Sequence, residues 1–325
     1  MKCLIDENGN AILKESELLT PDSEQCVFSI KACGICGSDI PRAFAHTSYY
    51  YPIVLGHEFS GEIKNSENEA LNGKRACVFP ILPCHSCPAC QAEQWAMCQN
   101  YSYYGSRRDG GMQSELLINE NNLIFIPDNV SFEEAAMVEP CAVCLHAMKK
   151  ARIKEGDSVL IFGAGTIGLL CAMWAKGLGA DRISVIDPSS ERIALARSLG
   201  FEEFDGGEAD ISIEASGAPE AFNQSIKYTH SGGRIVILGH SDRDVTVEKK
   251  YFQSILRKQL TIIGSWNSDR NSYADDWKGS IDAISRGIIS PKLLITHRIA
   301  LENAPLAFDI IGQRKEFYEK IMVVM

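Results

Sequence analysis

The sequence predicts an α/β protein of two domains, one β-rich and one built on a doubly wound parallel sheet. Its 325 residues are about twice the length of a common domain. Up to about residue 140, short alternating segments are separated by Gly, Asn and Pro. Beyond that point strand-like and helix-like segments alternate, as in a parallel sheet with crossover helices. We therefore predict one domain of residues 1–140 and 267–325 and a second domain of residues 141–266.

The composition argues against several classes of function. Hydrophobic residues make up 45% of the chain and charged residues 23%, values typical of globular proteins. A net charge of −10 and a pI near 5.3 argue against a nucleic-acid partner. No apolar run approaches the ~18 residues of a membrane helix, and acidic residues at 6 and 7 argue against a secretory signal. We expect a cytoplasmic protein.

Two short stretches of the first domain carry side chains that can bind a metal. The glycine-broken turn Cys33–Asp39 follows the predicted strand Val27–Ala32, and glycine lets its backbone approach a ligand closely. The stretch Pro52–Gly61 places His57 and Glu58 side by side between apolar runs. Imidazole and carboxylate suit zinc. Each stretch alone also fits a simpler description. A single cysteine in such a turn is more often a buried structural thiol, and the second stretch fits a satisfied histidine beside a solvated glutamate equally well.

The four cysteines Cys84, Cys87, Cys90 and Cys98 form a tight cluster. In a reducing compartment such clusters are typical of metal ligands rather than disulfides. Four thiolates on one small loop can surround a single tetrahedral zinc ion. An iron–sulfur cluster is the main alternative. We expect His85, inside the cluster, to be solvated.

Two further features precede the second domain. A capping-box pattern at Ser131 predicts a helix that runs toward Glu139. Before it, the loop Gly105–Gly111 contains adjacent arginines, Arg107 and Arg108. Adjacent guanidinium groups suit bidentate phosphate recognition, although a solvated loop with one surface ion pair is the simpler interpretation.

The second domain opens with a dinucleotide-binding pattern. A buried strand, Ser158–Phe162, leads into the glycine-rich turn Gly163–Gly168 and then a helix, Leu169–Lys176. The next strand, Arg182–Asp187, ends in an acid. Together these features predict a Rossmann unit with the pyrophosphate at the helix N-terminus. The predicted cofactor-binding residues are Gly163, Gly165, Thr166, Ile167, Gly168, Asp187, Arg192 and Leu238.

Asp187 indicates the choice of nicotinamide cofactor. A carboxylate there can bind both hydroxyls of the adenosine ribose and repels a 2′-phosphate, which favours NAD. Arg192, with Ser189 and Ser190 nearby, leaves NADP as the alternative.

The remaining sheet strands are predicted at Ala209–Glu214, Arg234–Leu238 and Leu260–Gly264. We expect a strand-like end near Ala194–Phe201. The interval from there to Ile211 is too short for a full crossover helix, so one helix of the sheet should be reduced to a loop. A helix near Tyr273–Arg286 and a closing strand, Lys320–Val324, are assigned back to the first domain.

Five motifs occur in this order along the chain: Cys36-Gly-Ser-Asp39, Leu55-Gly-His-Glu58, the four-cysteine loop, Glu139-Pro140 and the turn at 163–168. Together they resemble the zinc-dependent medium-chain alcohol and polyol dehydrogenases. The resemblance covers essentially the whole chain. It implies a GroES-like catalytic domain with a structural zinc lobe, a Rossmann domain that binds NAD, two zinc ions per chain, and a homodimer or homotetramer. It also implies a small-molecule substrate and neither a nucleic-acid nor a membrane partner.

The resemblance also implies roles for individual residues. Cys36 and His57 bind the catalytic zinc, Glu139 matches the later acidic ligand, and Glu58 is an alternating ligand or a carboxylate next to the ligands. The four clustered cysteines match the structural zinc site. Many relatives carry a relay histidine where this chain has Pro41, so we expect Ser38 to be the first hydroxyl of the proton path, with Glu58 and Glu139 taking part in proton transfer.

The implied reaction is the reversible NAD-linked oxidation of a secondary hydroxyl of a sugar-alcohol phosphate. Arg42, Arg107 and Arg108 are the candidates for binding its phosphate. The alternatives are an unphosphorylated polyol of the sorbitol or xylitol type and a threonine-dehydrogenase-like reaction. A zinc-free quinone reductase and a non-catalytic NAD-binding or zinc-scaffold protein are less favoured because the ligand set is intact.

Overall fold

The structure is a computed structural model that describes residues 1–313 and 315–325. The chain forms two compact units, Met1–Glu139 with Asp269–Met325, and Pro140–Ser268. We call them the first and second units. The first boundary falls inside the first turn of a helix, Val138–Ala151.

The first part of the chain is mainly strands with short helices. Its elements, in order, are β1 (Lys2–Ile5), β2 (Ala11–Lys14), β3 (Gln25–Gly34), α1 (Asp39–Phe44), β4 (Glu58–Ser66), β5 (Arg75–Val78), β6 (Ile81–Leu82), α2 (Pro88–Gln91), β7 (Ser102–Tyr103), β8 (Glu115–Asn119), β9 (Leu123–Phe125) and α3 (Phe132–Ala136). Short 3-10 turns lie at Glu69–Leu71, Trp95–Met97 and Glu120–Asn122.

The second part alternates strands and helices before the chain returns to the first unit. Its elements are α4 (Val138–Ala151), β10 (Ser158–Phe162), α5 (Thr166–Gly177), β11 (Arg182–Ile186), α6 (Ser190–Ser198), β12 (Glu202–Glu203), β13 (Ala209–Glu214), α7 (Pro219–Tyr228), β14 (Thr229–Ile237), α8 (Lys249–Lys258) and β15 (Thr261–Gly264). The returning segment contains α9 (Asp276–Ser285), β16 (Ile295–Ala300), α10 (Ala304–Gln313) and β17 (Lys320–Val324), with 3-10 turns at Pro291–Leu294 and Leu301–Asn303.

The sheet of the first unit has the order β16-β17-β3-β4-β5-β9, with β8 also paired to β3. Its pairs are antiparallel except for β16 with β17. Strand β3 is buried over most of its length, and only Gln25, Ser29 and Lys31 are partly exposed. Phe28 and Phe59 from neighbouring strands meet edge-on at 6.4 Å between ring centroids, and Phe59 meets Tyr104 at 6.2 Å. These three rings belong to the hydrophobic core of the first unit.

The predicted capping box at Ser131 is present. The Ser131 side chain accepts a hydrogen bond from the Glu134 N–H, and the Glu134 carboxylate accepts one from the Ser131 N–H. These reciprocal bonds satisfy backbone donors at the start of α3. Helix α4 follows immediately, and Glu139 lies in its first turn, where the helix dipole favours a negative charge.

The sheet of the second unit is parallel with the order β12-β11-β10-β13-β14-β15. The strand order reverses between β10 and β13, which is the position where such sheets bind ligands at their carboxyl ends. Helix α5 is buried from Gly168 to Ala175 because its residues are apolar on every side. The predicted fold class is confirmed.

One local prediction for this sheet is wrong and a related one is confirmed. Most of the span Ala194–Phe201, expected to be strand-like, belongs to helix α6, and the strand that follows is only Glu202–Glu203. Ser189 caps that helix by accepting a hydrogen bond from the Arg192 N–H, a local signal for a helix start. The connection from β12 to β13 contains no helix, as the short interval predicts.

Across the part of the chain that the structure describes, every helix is too short or too polar to span a lipid bilayer.

Candidate active site

Three side chains of the first unit converge as possible metal ligands. The ligand atoms of Cys36, His57 and Glu58 all lie within 4.8 Å of one another. Strand pairing explains the convergence: Gly34 at the end of β3 is paired with Glu58 at the start of β4, so the turn carrying Cys36 lies beside the His57–Glu58 pair. His57 and Glu58 are buried and Cys36 is half-buried. A thiolate, an imidazole and a carboxylate at this separation fit a zinc ion.

Gly56 directs the chain into this cluster. Its φ is +97°, and a Cβ there would lie 2.4 Å from the sulfur of Cys33. Its carbonyl accepts a hydrogen bond from the N–H of Gly111 at 2.7 Å. Only glycine satisfies both the backbone angle and the close packing, so the residue before His57 is fixed by geometry.

Asp39 orients His57. Its Oδ1 lies 3.5 Å from the Nδ1 of His57, and its Oδ2 accepts a hydrogen bond from the Cys36 N–H at 3.0 Å. Burial alone would raise the pKa of Asp39, but the charges of His57 and Arg42 and the Cys36 bond hold it below its ordinary value. With Nδ1 facing a carboxylate, the Nε2 of His57 remains available to a metal.

Glu58 is paired with a buried lysine. The Nζ of Lys320 donates to both carboxylate oxygens of Glu58, at 2.8 and 2.7 Å, and to the carbonyl of Ile35 at 3.0 Å. Both side chains are almost fully buried. Burial alone would lower the pKa of Lys320, but the charges of Glu58 and Cys36 raise it. The ammonium therefore compensates the carboxylate charge next to the metal ligands.

Glu139 lies beside this group but is not part of the mutually close trio. Its Oε1 accepts a hydrogen bond from the hydroxyl of Tyr103 at 3.2 Å. Burial raises the pKa of Glu139 to about 7; the nearby Glu58 charge acts in the same direction, while His57 opposes it. The structure thus places two carboxylates at the site with different partners, a lysine for Glu58 and a tyrosine for Glu139.

The four clustered cysteines also converge. The sulfurs of Cys84, Cys87, Cys90 and Cys98 lie within 4.8 Å of one another in the loop between β6 and β7. The Cys84 N–H donates to the Cys98 sulfur at 3.3 Å. Four sulfurs in one small loop fit a closed tetrahedral zinc site. His85 is exposed beside them and meets Trp95 edge-on at 6.3 Å.

The three phosphate-binding candidates have different surroundings. Arg42 donates to the Ser38 carbonyl at 2.8 Å and to its exposed hydroxyl at 3.0 Å. Arg107 lies between the rings of Tyr101 and Tyr49, 4.1 and 4.6 Å from their centroids. Arg108 is exposed, with its guanidinium 5.5 Å from the ring of Tyr104.

The glycine-rich turn of the second unit forms a close-packed cradle. Gly163 has a φ of +98°, and a Cβ on Gly168 would lie 1.8 Å from the Gly163 carbonyl oxygen. Gly165 caps α5, whose first residues are Thr166 and Ile167. Backbone amides at a helix start and glycines without side chains fit the pyrophosphate of a dinucleotide.

Asp187 follows β11 next to this turn. Its Oδ2 accepts a hydrogen bond from the Ala164 N–H at 2.8 Å, and its Oδ1 accepts one from Ser189 at 2.9 Å. Arg192 lies 3.8 Å from the same carboxylate. Leu238, just beyond β14, donates its N–H to the Glu214 carbonyl at 2.8 Å. These contacts bring Asp187 and Arg192 together at the glycine turn.

Sequence reasoning assigned no role to three residues of the first unit: Asp39, Tyr103 and Lys320. Asp39 ends the Cys36-Gly-Ser-Asp motif, and its position three residues after Cys36 is the sequence signal that could have indicated its role. Lys320 is a charged residue opening an apolar strand, which is unusual without a buried partner. Tyr103 had only the run of tyrosines around it as a signal.

Two family models match the chain. Residues 22–128 match the alcohol dehydrogenase GroES-like domain, and residues 166–286 match the zinc-binding dehydrogenase model. The chain is 32% identical to galactitol 1-phosphate 5-dehydrogenase of Escherichia coli over 326 residues, which cover 93% of this chain and 94% of the relative. The chain therefore belongs to the zinc-dependent medium-chain alcohol and polyol dehydrogenases, and it is an oxidoreductase.

Further comparisons place the chain among proteins acting on several polyhydroxylated substrates. It is 30% identical to L-idonate 5-dehydrogenase of Vitis vinifera, over 84% of this chain and 80% of the relative. The crystal structure of galactitol-1-phosphate dehydrogenase from Escherichia coli matches with a TM-score of 0.93 and 31% identity over 100% of both chains.

Two solved relatives contain nicotinamide cofactors. A zinc-binding dehydrogenase from Sinorhizobium meliloti bound to NADP has a TM-score of 0.91 and 28% identity, over 100% of this chain and 98% of that one. An Escherichia coli alcohol dehydrogenase complexed with NADH has a TM-score of 0.91 and 27% identity, with the same coverage.

Proposed function

We propose that the protein catalyses the zinc-dependent, NAD-linked, reversible oxidation of a secondary hydroxyl of a sugar-alcohol phosphate such as galactitol 1-phosphate. One observation carries the substrate class: the loop bearing Arg107 and Arg108 is bonded to the backbone beside His57. Gly110 and Gly111 donate to the carbonyls of Val54 and Gly56 at 2.8 and 2.7 Å. These bonds join the loop of the two arginines to the residue directly before His57.

The chemistry requires loss of a proton from oxygen and of a hydride from carbon. When bound, zinc supplies a Lewis acid and NAD a hydride acceptor. Cys36, His57 and Glu139 would hold the metal, with Glu58 as an alternating ligand, and Asp39 keeps His57 in a fixed orientation. The carboxylates of Glu58 and Glu139 are the groups that can take the hydroxyl proton, and the Ser38 hydroxyl, exposed at the end of the same turn, would pass it to solvent.

Arg108 is the arginine best suited to bind the phosphate. Arg42 is committed to Ser38, and Arg107 is enclosed by two tyrosine rings, whereas Arg108 is exposed on the loop pinned to Gly56. A guanidinium can bind a phosphate through two parallel hydrogen bonds. Each charge-assisted bond contributes about 1.5–3 kcal/mol.

The cofactor we propose is NAD. The Asp187 carboxylate is held by the Ala164 and Ser189 N–H groups at the end of β11, where it can accept hydrogen bonds from ribose hydroxyls and repels a 2′-phosphate. Arg192 at 3.8 Å offsets part of that charge, so the preference should be finite. The NADP-bound relative shows that this fold also accommodates the phosphorylated cofactor.

A substrate panel tests this function. We expect kcat/KM with NAD to be higher for galactitol 1-phosphate than for galactitol, sorbitol, L-idonate or threonine, and lower when NADP replaces NAD. Equal or faster turnover of the unphosphorylated compounds would reject the phosphate assignment and favour a dehydrogenase of unphosphorylated polyols or sugar acids, the second of which is the substrate class in the name of the L-idonate enzyme.

The Arg108→Ala variant tests the phosphate pocket directly. Its kcat/KM should fall about 10- to 100-fold for the phosphorylated substrate and stay unchanged for the unphosphorylated one, because only the phosphate loses a partner. Arg286→Ala, which removes an exposed arginine directly after α9, is the matched control. Equal losses on both substrates in Arg108→Ala would contradict the assignment.

We also propose that the protein is a homo-oligomer, assembled through the edge of the second unit's sheet. Strand β15 is an edge strand with no residue fully buried, and helix α8 beside it exposes Phe252 and Leu256. An unpaired edge next to exposed apolar side chains is typical of a surface that pairs with a second chain. Light scattering should give the mass of at least a dimer for the wild type, and Leu256→Glu should shift the assembly toward monomer. A monomeric wild type would refute the proposed homo-oligomer.

A further inference from the structure

We propose that Tyr103 is a positioning residue for Glu139, and that Arg107 acts through Tyr103 rather than by binding substrate phosphate. The inference rests on the proposed assignment of Glu139 to the metal site. It separates the two adjacent arginines into different roles. Arg108 keeps the phosphate-binding role of the proposed function, and Arg107 supports the tyrosines beside Glu139.

Tyr103 touches two members of the site at once. Its hydroxyl donates to the Oε1 of Glu139 at 3.2 Å, and its ring meets the His57 ring edge-on, 5.6 Å between centroids at 61°. Tyr103 is buried. A phenol has a single hydrogen to donate, so this bond fixes one oxygen of Glu139 and leaves the other for the metal or for a proton.

Arg107 is enclosed on both faces. Its guanidinium carbon lies 4.1 Å from the Tyr101 ring centroid and 4.6 Å from that of Tyr49. Its two terminal nitrogens donate to the Tyr101 carbonyl at 2.7 Å and to the Tyr49 hydroxyl at 2.9 Å. Stacking on two rings with both nitrogens engaged is a structural use of the guanidinium. A bidentate phosphate bond would have to break these contacts.

The contacts connect Arg107 to Glu139 through two tyrosines. The Tyr101 ring meets the Tyr103 ring edge-on, 6.2 Å between centroids at 75°. The Arg107 N–H also donates to the Tyr103 carbonyl at 3.0 Å, which ties the arginine to the backbone of the residue it supports. Holding Tyr101 in place therefore restricts the Tyr103 ring, and the Tyr103 hydroxyl restricts the Glu139 carboxylate.

Zinc affinity of the metal-free protein is the first test. Residues that orient metal ligands typically contribute 10- to 100-fold to affinity. Tyr103→Phe should therefore lower the affinity for the catalytic zinc ion about 10-fold, measured by competition with a chelator. The catalytic zinc ion is identified as the one that Cys36→Ser loses. Tyr104→Phe is the control, because the bonds described for that buried hydroxyl join it to the Asn119 N–H and the Arg108 side chain and to none of the candidate metal ligands. Equal zinc affinity in Tyr103→Phe and Tyr104→Phe would overturn the positioning role.

Substrate discrimination is the second test. Arg107→Ala should lower kcat/KM by the same factor for galactitol 1-phosphate and galactitol, with Arg107→Lys, which keeps a cation between the rings, recovering part of the loss. If Arg107→Ala does not fold, the Lys variant alone decides: a loss confined to the phosphorylated substrate would make Arg107 a phosphate ligand. Should the wild type prefer unphosphorylated polyols, the proposed substrate fails while the zinc-affinity test of Tyr103 stands.

Discussion

Replacing Lys320 by methionine should destabilise the first unit strongly. The Lys320 ammonium and the Glu58 carboxylate are almost fully buried, and two hydrogen bonds of 2.7 and 2.8 Å join them. Removing one partner of a buried ion pair leaves an uncompensated charge and costs about 3–5 kcal/mol. At about 2–4 °C of melting temperature per kcal/mol for a unit of this size, we expect a loss of about 6–20 °C.

The double variant Lys320→Met/Glu58→Gln separates the charge from the packing. Because the double variant removes both charges, it should recover at least half of the melting temperature lost in Lys320→Met. The difference between its effect and the sum of the two single effects measures the coupling between Lys320 and Glu58. Calorimetry of metal-free protein gives the comparison without a contribution from zinc binding. A loss below about 3 °C in Lys320→Met, or a double variant less stable than both single variants, would refute the compensation of Glu58 by Lys320.

Three further predictions concern other parts of the molecule. Asp39→Asn should weaken zinc binding at Cys36 and His57 about 10- to 100-fold in chelator competition, and unchanged affinity would remove its orienting role. Burial alone would lower the pKa of His230, but hydrogen bonds to Asp210 and Ser231 raise it. Burial alone would raise the pKa of Asp210, but hydrogen bonds from Ser158 and His230 lower it to about 2. The ion pair of His230 and Asp210 therefore stabilises the fold between about pH 4 and 6.5, and this contribution is lost as pH rises through the raised pKa of His230. His230→Gln should lower the melting temperature at pH 5.5 more than at pH 9. Equal losses of melting temperature at the two pH values would contradict a stabilising ion pair. Glu93 accepts from the Ser272 N–H at 2.7 Å and from its hydroxyl at 2.6 Å, so Glu93→Gln should speed hydrogen exchange in residues 269–275, and unaltered exchange would show that this anchor is dispensable.

The parts of the fold with local sequence signals are the ones the sequence predicts well. Strand β10 has the predicted bounds, and α5 begins at the glycine turn because an apolar run, a glycine pattern and a helix start all lie within a few residues. The helix at Ser190–Ser198 was missed in part because its sequence has no clear apolar stripe on one face.

The site shows the same division between local and long-range information. Cys36, His57 and Glu58 are predictable because ligand-type residues stand in glycine-broken turns. Lys320 is not, because its role depends on pairing between β17 and β3, with Met322 opposite Gly34. That register places Lys320 next to the turn of Cys36, although the two are distant in the sequence.

The arginines illustrate a further limit. Sequence reasoning treats Arg107 and Arg108 alike, since both stand in one polar loop. Their difference arises from packing: Tyr49 comes from a loop far earlier in the chain, and its ring closes one face of Arg107. No local pattern contains that contact.

The zinc content of the purified protein shows whether Cys36, His57 and the carboxylates beside them form a catalytic zinc site. We expect two zinc ions per chain in the wild type. Cys36→Ser should keep one zinc ion per chain and lose oxidation of the polyol substrate, because the four-cysteine site is separate from the catalytic one. A Cys36→Ser protein that keeps two zinc ions and normal turnover would contradict the assignment of Cys36, His57 and their neighbouring carboxylates as the catalytic centre.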